Sequence, residues 1–361
     1  MGIEYENKPI HKIGLIWDER MLSHSEFYPD SKKKSYQHCE NPKRLSFVID
    51  QLQKNGITKD CDFVEKFELC HKDYINKAYK DIPHFEKMSE LHQKLKQERL
   101  ENPSKKKPFS KKNPQENSNK EQVEWLNGDV YVNPDTFLAM HISASAVKQA
   151  TDKVMKGEWH SAFAEVRPPG HHACLEGTPS GFCFFNNIAI AAKYLQREYK
   201  VNRILIFDWD VHHGDGTQNF FNDDPNVMFV SIHQYDEGNF FPFGLGGNCA
   251  WENSGTGEAK GTKINFPWNV NCKSSKQHKF EIDRIVTDDD YLFIFELVIL
   301  PIIKSFQPEF IFISAGFDSC IGDLLGQLHC SPIMFAKITN RLREICPKVV
   351  LASEGGYTYE N

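Results

Sequence analysis

The fold is indicated most clearly by the segment ILIFDWDVH, residues 204–212. Its first four residues are apolar, and such a run is typical of a strand that is buried on both faces of a sheet. Polar residues follow at once, and alternation along an extended chain would point Asp208, Asp210 and His212 to the same side. Two carboxylates and an imidazole on one edge are unfavourable in a core unless a proton or a cation offsets their charge. The segment therefore predicts a buried strand that ends in a charged edge.

The same pattern of a short apolar run followed by polar residues recurs along the chain. Strand candidates lie at 13–16, 161–166, 227–232, 310–314 and 349–352, and helical spacing is found at 44–53, 188–199 and 333–345. Alternation of strands and helices is typical of parallel sheets whose helices cover both faces. We therefore predict an α/β fold with an open, mostly parallel, doubly wound sheet. The apolar run 291–303 is too short to span a bilayer and predicts a buried helix.

Polar motifs follow these strand candidates at the points where the strands end. Besides the segment 204–212, they are Arg167-Pro-Pro-Gly-His-His172, Ser231-Ile-His233, Gly316-Phe-Asp318 and Glu354-Gly-Gly-Tyr357. Ligand sites of open parallel sheets lie beyond the carboxyl ends of the strands. We therefore expect these motifs, which are distant in sequence, to converge on one crevice.

Composition places the chain among globular proteins and disfavours several other classes. Its 361 residues are 40% hydrophobic and 25% charged, which is sufficient for a large α/β domain. A net charge of -6 does not suit a protein that coats nucleic acid, so no direct nucleic-acid binding is expected. No secretory signal and no membrane partner are expected either. The ten cysteines form no CxxC pair and are expected to be reduced thiols, which leaves His, Asp and Glu as ligands for any metal.

A single catalytic domain is expected over residues 10–361, with one interruption. Residues 98–120 are rich in Lys, Asn, Ser, Pro and Glu and nearly devoid of large apolar side chains. Such a stretch cannot offset its ordering entropy by burial, so we predict a disordered insertion. The lysine runs at 105–107 and 111–112 are typical of a nuclear-import signal or, more often, of a solvated linker.

Asp318 adds a third candidate ligand to the charged edge. Asp and His residues from two strand ends would give three protein ligands and an open fourth position, which is how catalytic zinc sites are built. A solvated acidic loop is the alternative, and the spacing does not rank Asp208 and Asp210 as ligands. The histidines and the tyrosine at the neighbouring strand ends favour the metal site.

His171 and His172 form a tandem pair after a Pro-Pro-Gly turn. A histidine near its ordinary pKa can take up and return a proton at neutral pH, and a carboxylate on its far ring nitrogen would fix its tautomer. Asp208 and Asp215 are the available carboxylates. The paired glycines before Tyr357 would present its phenol into the crevice as a donor to a developing oxyanion. The alternatives are hydrogen bonds to loop backbone for the histidines and simple burial for the tyrosine.

Together these motifs resemble those of the zinc-dependent histone deacetylases, most closely class II, within the arginase-deacetylase superfamily. The resemblance rests on Arg167-Pro-Pro-Gly-His-His-Ala173, Asp208-Trp-Asp-Val-His-His-Gly-Asp-Gly216, Ser314-Ala-Gly-Phe-Asp318, Glu354-Gly-Gly-Tyr357 and the early His38-Cys-Glu-Asn-Pro-Lys-Arg44. It covers nearly the whole chain outside the insertion and implies a three-layer arginase/deacetylase-like fold. It also implies a truncated C-terminus, because relatives continue well beyond the tyrosine and this chain ends at Asn361.

The resemblance implies metal sites at three places. One zinc ion per chain would be bound by Asp210, His212 and Asp318. A structural potassium ion would be held by oxygen atoms around Asp208, Asp210, His212, Ser231 and Ile232. A second monovalent cation would lie near Phe221, Asp224 and Val227.

Catalytic and substrate-binding roles are implied in the same way. His172 would be the general base and then the general acid, His171 its electrostatic partner, and Tyr357 would polarise the acetyl carbonyl together with zinc. The carboxylates beside the two histidines would be those of Asp208 and Asp215. The tunnel for the acyl-lysine chain and its rim would be formed by Gly181, Phe182, Phe241, Leu325 and Asp129. On their own, the two phenylalanines are most simply explained as core or loop anchors.

The implied activity is hydrolysis of acetyl-lysine in histone tails or other proteins to lysine and acetate, in the nucleus or the cytoplasm, with a corepressor complex as a further partner. Tyr357 indicates real activity, because the weakly active class IIa members carry histidine at this position. Leu325 favours peptide substrates, because the polyamine-deacetylating relative carries a glutamate gatekeeper in this loop. Two alternatives stay open, namely an acetylpolyamine amidohydrolase and a catalytically weak scaffold that binds acyl-lysine.

Overall fold

A computed structural model of the protein describes residues 12–26, 38–80, 82–101, 124–126, 129–243, 249–270 and 285–358. Its strands are β1 (Ile13–Ile16), β2 (Asp62–Val64), β3 (Glu124–Trp125), β4 (Tyr131–Val132), β5 (Ser161–Ala164), β6 (Ile204–Asp208), β7 (Val227–Gln234), β8 (Lys263–Trp268), β9 (Phe310–Ala315) and β10 (Val349–Ser353). Its α-helices are α1 (Lys43–Lys54), α2 (Ile57–Asp60), α3 (Lys72–Ala78), α4 (His84–Glu101), α5 (Thr136–Met155), α6 (Asn187–Tyr194), α7 (Asp215–Phe221), α8 (Asp288–Ile294), α9 (Leu300–Phe306) and α10 (Pro332–Ile345). The π-helical turns Leu195–Tyr199 and Phe295–Ile299 continue α6 and α8.

The main sheet is eight-stranded and has the order β2-β1-β5-β10-β9-β6-β7-β8. Each pair of neighbouring strands in it is parallel. β6 lies between β9 and β7, and its last residue, Asp208, is in register with Ser314 on one side and Ser231 on the other. β3 and β4 form a separate antiparallel pair. The predicted α/β sheet is therefore confirmed, and in the described residues this sheet is parallel throughout.

Helices cover both faces of the sheet, as the packing of β6 demonstrates. Ile204 and Ile206 belong to a hydrophobic cluster that includes residues of α5 and α6. Leu205 and Phe207 belong to a second cluster, which includes residues of α8 and α10. Successive residues of a strand point to opposite faces, so the two clusters lie on opposite sides of the sheet. The predicted doubly wound arrangement is thereby confirmed.

The apolar run 291–303 is helical, but the prediction of a buried helix is wrong for one of its faces. Tyr291 and Phe295 are fully buried, whereas Phe293 and Leu297 are 66% and 62% exposed. Residues four positions apart share a helix face, so the buried and the exposed pairs lie on different faces. The run is nearly uniform in hydropathy, and its periodicity therefore did not reveal which side packs on the sheet.

The other predicted elements form with boundaries shifted by about two residues or fewer. The sequence patterns did not reveal α2, α3, α4, α5, α7, β2, β3, β4 or β8. In α5 the buried face includes small polar residues such as Ser143 and Thr151, which weakens the apolar periodicity. The predicted insertion at 98–120 falls largely outside the described residues, although α4 extends into it as far as Glu101. Within the described ranges, no helix is both long and apolar enough to cross a membrane.

The polar motifs lie at the carboxyl ends of five strands that are contiguous in the sheet, β5, β10, β9, β6 and β7. Parallel strands end at the same edge, so the loops that follow these strands meet there. The position that the sequence predicts for a ligand site is therefore the position at which the functional candidates are found.

Candidate metal centre and catalytic cavity

A buried Asp–His–Asp group lies just beyond the ends of β6 and β9. Asp210, His212 and Asp318 each offer one ligand atom, and these atoms lie within 4.8 Å of one another. The Nδ1 atom of His212 is 3.0 Å from Asp210 Oδ1 and 3.1 Å from Asp318 Oδ2. Zinc with tetrahedral bonds of about 2.0–2.2 Å keeps its ligand atoms roughly 3.3–3.6 Å apart. The donor set therefore fits a zinc ion after small adjustments.

Backbone hydrogen bonds, rather than strand alternation, bring these side chains together. β6 ends at Asp208, so the expected extended run does not continue to His212. Instead the amide of Asp210 donates to Asp208 Oδ1 (3.1 Å), and the amide of His212 donates to Asp210 Oδ1 (2.8 Å). The amide of Gly355 donates to Asp210 Oδ2 (2.7 Å). A Cβ at Gly355 would lie 2.1 Å from Asp318 Oδ2, so only glycine permits this close approach.

The charges of this group need compensation. Burial raises the pKa of Asp318 to about 7 and that of Asp208 to about 6, because a carboxylate away from water is costly to ionise. For the imidazole of His212, burial alone would lower the pKa, but its hydrogen bonds to Asp210 and Asp318 raise it to about 9. A divalent cation would offset these carboxylates more completely than one imidazolium does. The chemistry of the donor set therefore fits a metal ion.

The tandem histidines each contact one of the two expected carboxylates. His171 Nδ1 lies 3.1 Å from Asp208 Oδ2, and its Nε2 lies 3.7 Å from Asp210 Oδ2. His172 Nδ1 lies 2.7 Å from Oδ1 of Asp215, which is the first residue of α7. Burial opposes protonation of both rings, but the carboxylates of Asp210 and Asp208 raise the pKa of His171 well above its ordinary value. Burial, with the neighbouring His171, lowers the pKa of His172 to about 4, so this ring is neutral at pH 7.

Glu354 holds the loop that carries the tandem histidines, a role that the sequence analysis did not assign. Its Oε2 atom accepts hydrogen bonds from the amides of Gly170 (2.7 Å) and His171 (3.1 Å). The carboxylate is 1% exposed, and it crosses from the end of β10 to the loop after β5. The residue stands in the Glu-Gly-Gly-Tyr motif, so the motif indicated it, but only coordinates reveal what it contacts.

A cavity of about 250 Å³ opens beside the metal centre. The residues that line it are Asp129, His172, Gly181, Phe182, His212, Phe240, Phe241, Phe243, Leu325 and Tyr357. All five predicted substrate-binding residues are therefore brought together around one space. Phe241 packs edge-on against His172 with ring centroids 4.9 Å apart, and Phe182 packs edge-on against Tyr357 at 5.8 Å. Gly181 has a φ of +50°, and a Cβ there would lie 2.3 Å from the His172 ring.

The loop that carries Tyr357 is fixed by two residues that the sequence analysis did not single out. The amide of Tyr357 donates to Asp323 Oδ2 (2.7 Å), and Asp323 Oδ1 also accepts from the amide of Leu325 (2.9 Å). Arg44 Nε donates to the carbonyl of Gly356 (2.6 Å), and its guanidinium carbon lies 4.9 Å from the centroid of the Tyr357 ring. The ring itself is 5% exposed and lines the cavity.

The residues predicted to bind monovalent cations lie in two separate places. Asp208 and Ser231 are register partners on β6 and β7, with Ile232 next to them, close to the zinc candidate. Asp224 lies between α7 and β7 and Val227 is the first residue of β7; their carbonyl oxygens accept hydrogen bonds from the ammonium group of Lys263 at 3.1 and 2.7 Å. The carbonyl of Phe221 accepts from the amide of Asp224 at 3.0 Å. In this second place a side-chain cation already contacts carbonyl oxygens of two of the three residues near which the ion was predicted.

Comparison with solved structures identifies the class of fold. The crystal structure of the HDA15 HD domain superposes with a TM-score of 0.80 at 30% sequence identity and covers 97% of this chain and 85% of that one. The sheet and its helices are consistent with the arginase/deacetylase α/β fold, as predicted. A model described as the histone deacetylase domain matches residues 38–361. The chain belongs to the histone deacetylase family.

Named relatives agree with this assignment. Histone deacetylase HDA1 of Candida albicans is 34% identical over 356 residues, 97% of this chain and 39% of its own length. Histone deacetylase clr3 of Schizosaccharomyces pombe is 30% identical over 355 residues, 98% of this chain and 46% of its own length. Polyamine deacetylase HDAC10 of Mus musculus is 36% identical over 323 residues, 89% of this chain and 43% of its own length. The chain thus spans less than half the length of these curated relatives.

Proposed function

We propose that the protein is a zinc-dependent protein-lysine deacetylase that hydrolyses acetyl-lysine side chains to lysine and acetate. The observation that carries this proposal is the convergence of a buried Asp–His–Asp group, two carboxylate-paired histidines and Tyr357 on one aromatic-walled cavity. An amide-hydrolysing site needs a water activator, a proton carrier and an oxyanion donor, and each has a candidate here.

Zinc would be held by Asp210, His212 and Asp318, one ion per chain. When bound, zinc supplies Lewis acidity, which lowers the pKa of water so that a base can deprotonate it for attack on the amide. The same Lewis acidity stabilises negative charge on the carbonyl oxygen. Asp208 would orient His171 behind this set, and oxygens of Asp208, Ser231 and Ile232 would hold a structural potassium ion at the same strand ends. Both ions are part of the proposal.

His172 would carry the proton during hydrolysis. Asp215 is a carboxylate, so the Nδ1–H of His172 donates to it, and the Nε2 atom is the one that accepts a proton. A neutral ring takes the proton of the attacking water and then gives it to the departing lysine amine. His171, protonated between Asp208 and Asp210, would remain charged beside it. Tyr357 would donate its O–H to the oxyanion.

The cavity dimensions and lining suit a long aliphatic chain. Phe182 and Phe241 would form the walls along the lysine methylenes, and Gly181 leaves the space that a side chain would fill. Asp129, half-buried at the rim, would accept hydrogen bonds from the substrate backbone amides. Substrates would be acetylated histone tails or cytoplasmic proteins, with a corepressor complex as a further partner and the nucleus or the cytoplasm as the location.

The proposal is tested by the Tyr357→Phe variant, which removes one hydroxyl from the cavity. Loss of an oxyanion donor lowers kcat by about 10²–10³. We therefore expect a kcat for an acetyl-lysine peptide that is lower by this factor, measured with zinc-reconstituted protein whose zinc content is determined in parallel. Tyr199→Phe is the matched control, because its hydroxyl bonds Asp152 far from the cavity. Wild-type turnover no higher than that of Tyr357→Phe would contradict the proposal and favour an acyl-lysine-binding scaffold.

Similarity to a polyamine deacetylase makes an acetylpolyamine amidohydrolase the second candidate. Leu325 lines the cavity and offers no charge to a polyamine ammonium group. We expect kcat/KM to favour the acetyl-lysine peptide over acetylspermidine, and Leu325→Glu to shift this ratio toward the polyamine by about fivefold, as a partly exposed ion pair of about 1 kcal/mol would. Leu325→Gln controls for size without charge. A wild-type preference for acetylspermidine would establish the second candidate instead.

A further inference from the structure

The side chain of Lys263 is buried at the start of β8. Only 1% of this residue is exposed, which is unusual for lysine, because an ammonium group away from water loses its hydration. Burial lowers the pKa of Lys263 to about 8, so the group is still mostly charged at pH 7. A buried charge of this kind must be compensated by the atoms around it.

Three neutral oxygen atoms surround the ammonium group. Its Nζ atom donates to the carbonyls of Val227 (2.7 Å) and Asp224 (3.1 Å) and to the hydroxyl of Thr262 (2.6 Å). The Thr262 hydroxyl in turn donates to the carbonyl of Ala259 at 2.6 Å, so its lone pairs face the ammonium. We call these three acceptors, from Asp224, Val227 and Thr262, the oxygen cradle.

The carboxylate of Asp224 makes no direct bond to Lys263, although its negative charge raises the pKa of the ammonium group. Its Oδ2 atom accepts from Lys193 Nζ at 2.8 Å and from Gln196 Nε2 at 2.9 Å, and its Oδ1 atom accepts from the amide of Asn226. The direct contacts of the Lys263 ammonium group are therefore with neutral oxygen atoms, as in a carbonyl site that binds a potassium ion. An ammonium group and a potassium ion are similar in size and use the same oxygen ligands.

We propose that the ammonium group of Lys263 is a built-in cation, which occupies the oxygen cradle and makes it independent of any dissolved monovalent ion. The expected second monovalent site therefore does not fit this chain, because its carbonyls at Asp224 and Val227 are already engaged. The tethered cation joins residues 224–227, which lead from α7 into the start of β7, to Lys263 at the start of β8. Removal of the ammonium would leave acceptors that a free monovalent cation could bind.

The test compares thermal unfolding of the wild type, Lys263→Ala and Lys193→Met while potassium chloride replaces tetramethylammonium chloride at constant ionic strength. Lys263→Ala opens the cradle, so we expect its Tm to rise with potassium concentration by on the order of 5 °C more than that of the wild type. Lys193→Met removes a neighbouring lysine and leaves the cradle filled, so it should follow the wild type. An equal response of Lys263→Ala and the wild type would overturn the proposal.

A second measurement addresses the wild type directly. Thallium(I) replaces potassium in carbonyl sites and scatters X-rays anomalously, so wild-type crystals soaked in it should show no peak between the carbonyls of Asp224 and Val227. A peak there would overturn the proposal, and its absence supports it even if Lys263→Ala does not fold. Neither measurement depends on the proposed deacetylase activity, so the two proposals can fail separately.

Discussion

Replacement of His172 by alanine is expected to lower kcat for an acetyl-lysine peptide by about 10²–10⁴, the usual contribution of a positioned general acid–base group. The reason lies in the environment of the ring. Burial keeps it neutral at pH 7, Asp215 fixes its Nδ1–H at 2.7 Å, and the ring lines the cavity beside His212. The ring is thus ready to accept a proton there. Zinc content should stay unchanged, because His172 is not among the candidate ligands.

Two further variants make this measurement specific. Asp215→Asn keeps the ring but removes the charge that orients it and is expected to lower kcat by about 10–100-fold, as outer hydrogen-bond partners commonly do. His329→Ala removes an exposed histidine and should leave kcat unchanged. Single-turnover rates should separate the chemical step from product release. A His172→Ala rate within tenfold of the wild type, at equal zinc content, would assign the proton transfer to another group.

Features that depend on local interactions could be predicted from the sequence, whereas features that depend on contacts between distant residues required the coordinates. Local periodicity indicated β6 and its parallel neighbours, because a strand buried on both faces is apolar throughout. The tandem histidines and their carboxylates could be predicted as site residues, because imidazole and carboxylate side chains have few alternative uses at the end of a strand. By contrast, α5 stayed hidden, since it buries polar residues that interrupt its apolar periodicity. Ser143 donates to the carbonyl of Pro168, a contact that only the tertiary structure supplies, and Thr151 donates to the carbonyl of Val147 one turn earlier in the helix.

Contacts between distant residues account for the rest. Arg44 reaches the carbonyl of Gly356 and Glu354 reaches the amide of His171, and neither the charge nor the spacing of these residues indicates such partners. Lys263 is the clearest case, because nothing in the sequence around it indicates that the lysine is buried. Its burial depends on Asp224 and Val227, which come from another strand end. The residue patterns therefore indicated where the candidate site lies, while the residues that hold it in shape became evident only from the fold.

The second large effect is expected at Glu40, whose carboxylate is fully buried beside Arg167. Arg167 donates to it through Nε and Nη2, both at 2.8 Å, and Arg44 Nη1 donates to it at 3.2 Å. Burial would raise the pKa of Glu40, but Arg167 lowers it below its ordinary value, so the group stays charged. Removing one partner of such a pair leaves the other charge buried and costs about 3–5 kcal/mol. We expect this loss in the free energy of unfolding of Glu40→Ala, measured by urea denaturation.

The chain provides a matched control that isolates burial as the cause. Glu296 and Arg341 form an equally bidentate pair, with bonds of 2.7 and 2.9 Å, but both side chains are more than a third exposed. Water can solvate either charge when the other is removed, so Glu296→Ala should have a far smaller effect. Equal losses in the two variants would show that geometry rather than burial sets the energy. The double variant Glu40→Ala with Arg167→Met should regain part of the stability, because the guanidinium of Arg167 is then no longer left unpaired in the core. The recovery should be incomplete, because Arg44 has still lost its bond to Glu40.

Glu40 also connects this energy to the catalytic loops. Arg44, which Glu40 helps to fix, holds the carbonyl of Gly356 next to Tyr357, and Arg167 begins the segment that leads to the tandem histidines. We therefore expect the folded fraction of Glu40→Ala to have a lower kcat as well, measured well below its unfolding midpoint. Glu296→Ala should keep the wild-type kcat, because the ion pair of Glu296 with Arg341 joins the π-helical turn Phe295–Ile299 to α10, far from the cavity. A destabilised Glu40→Ala with unchanged kcat would mean that Arg44 and the Tyr357 loop keep their positions without Glu40.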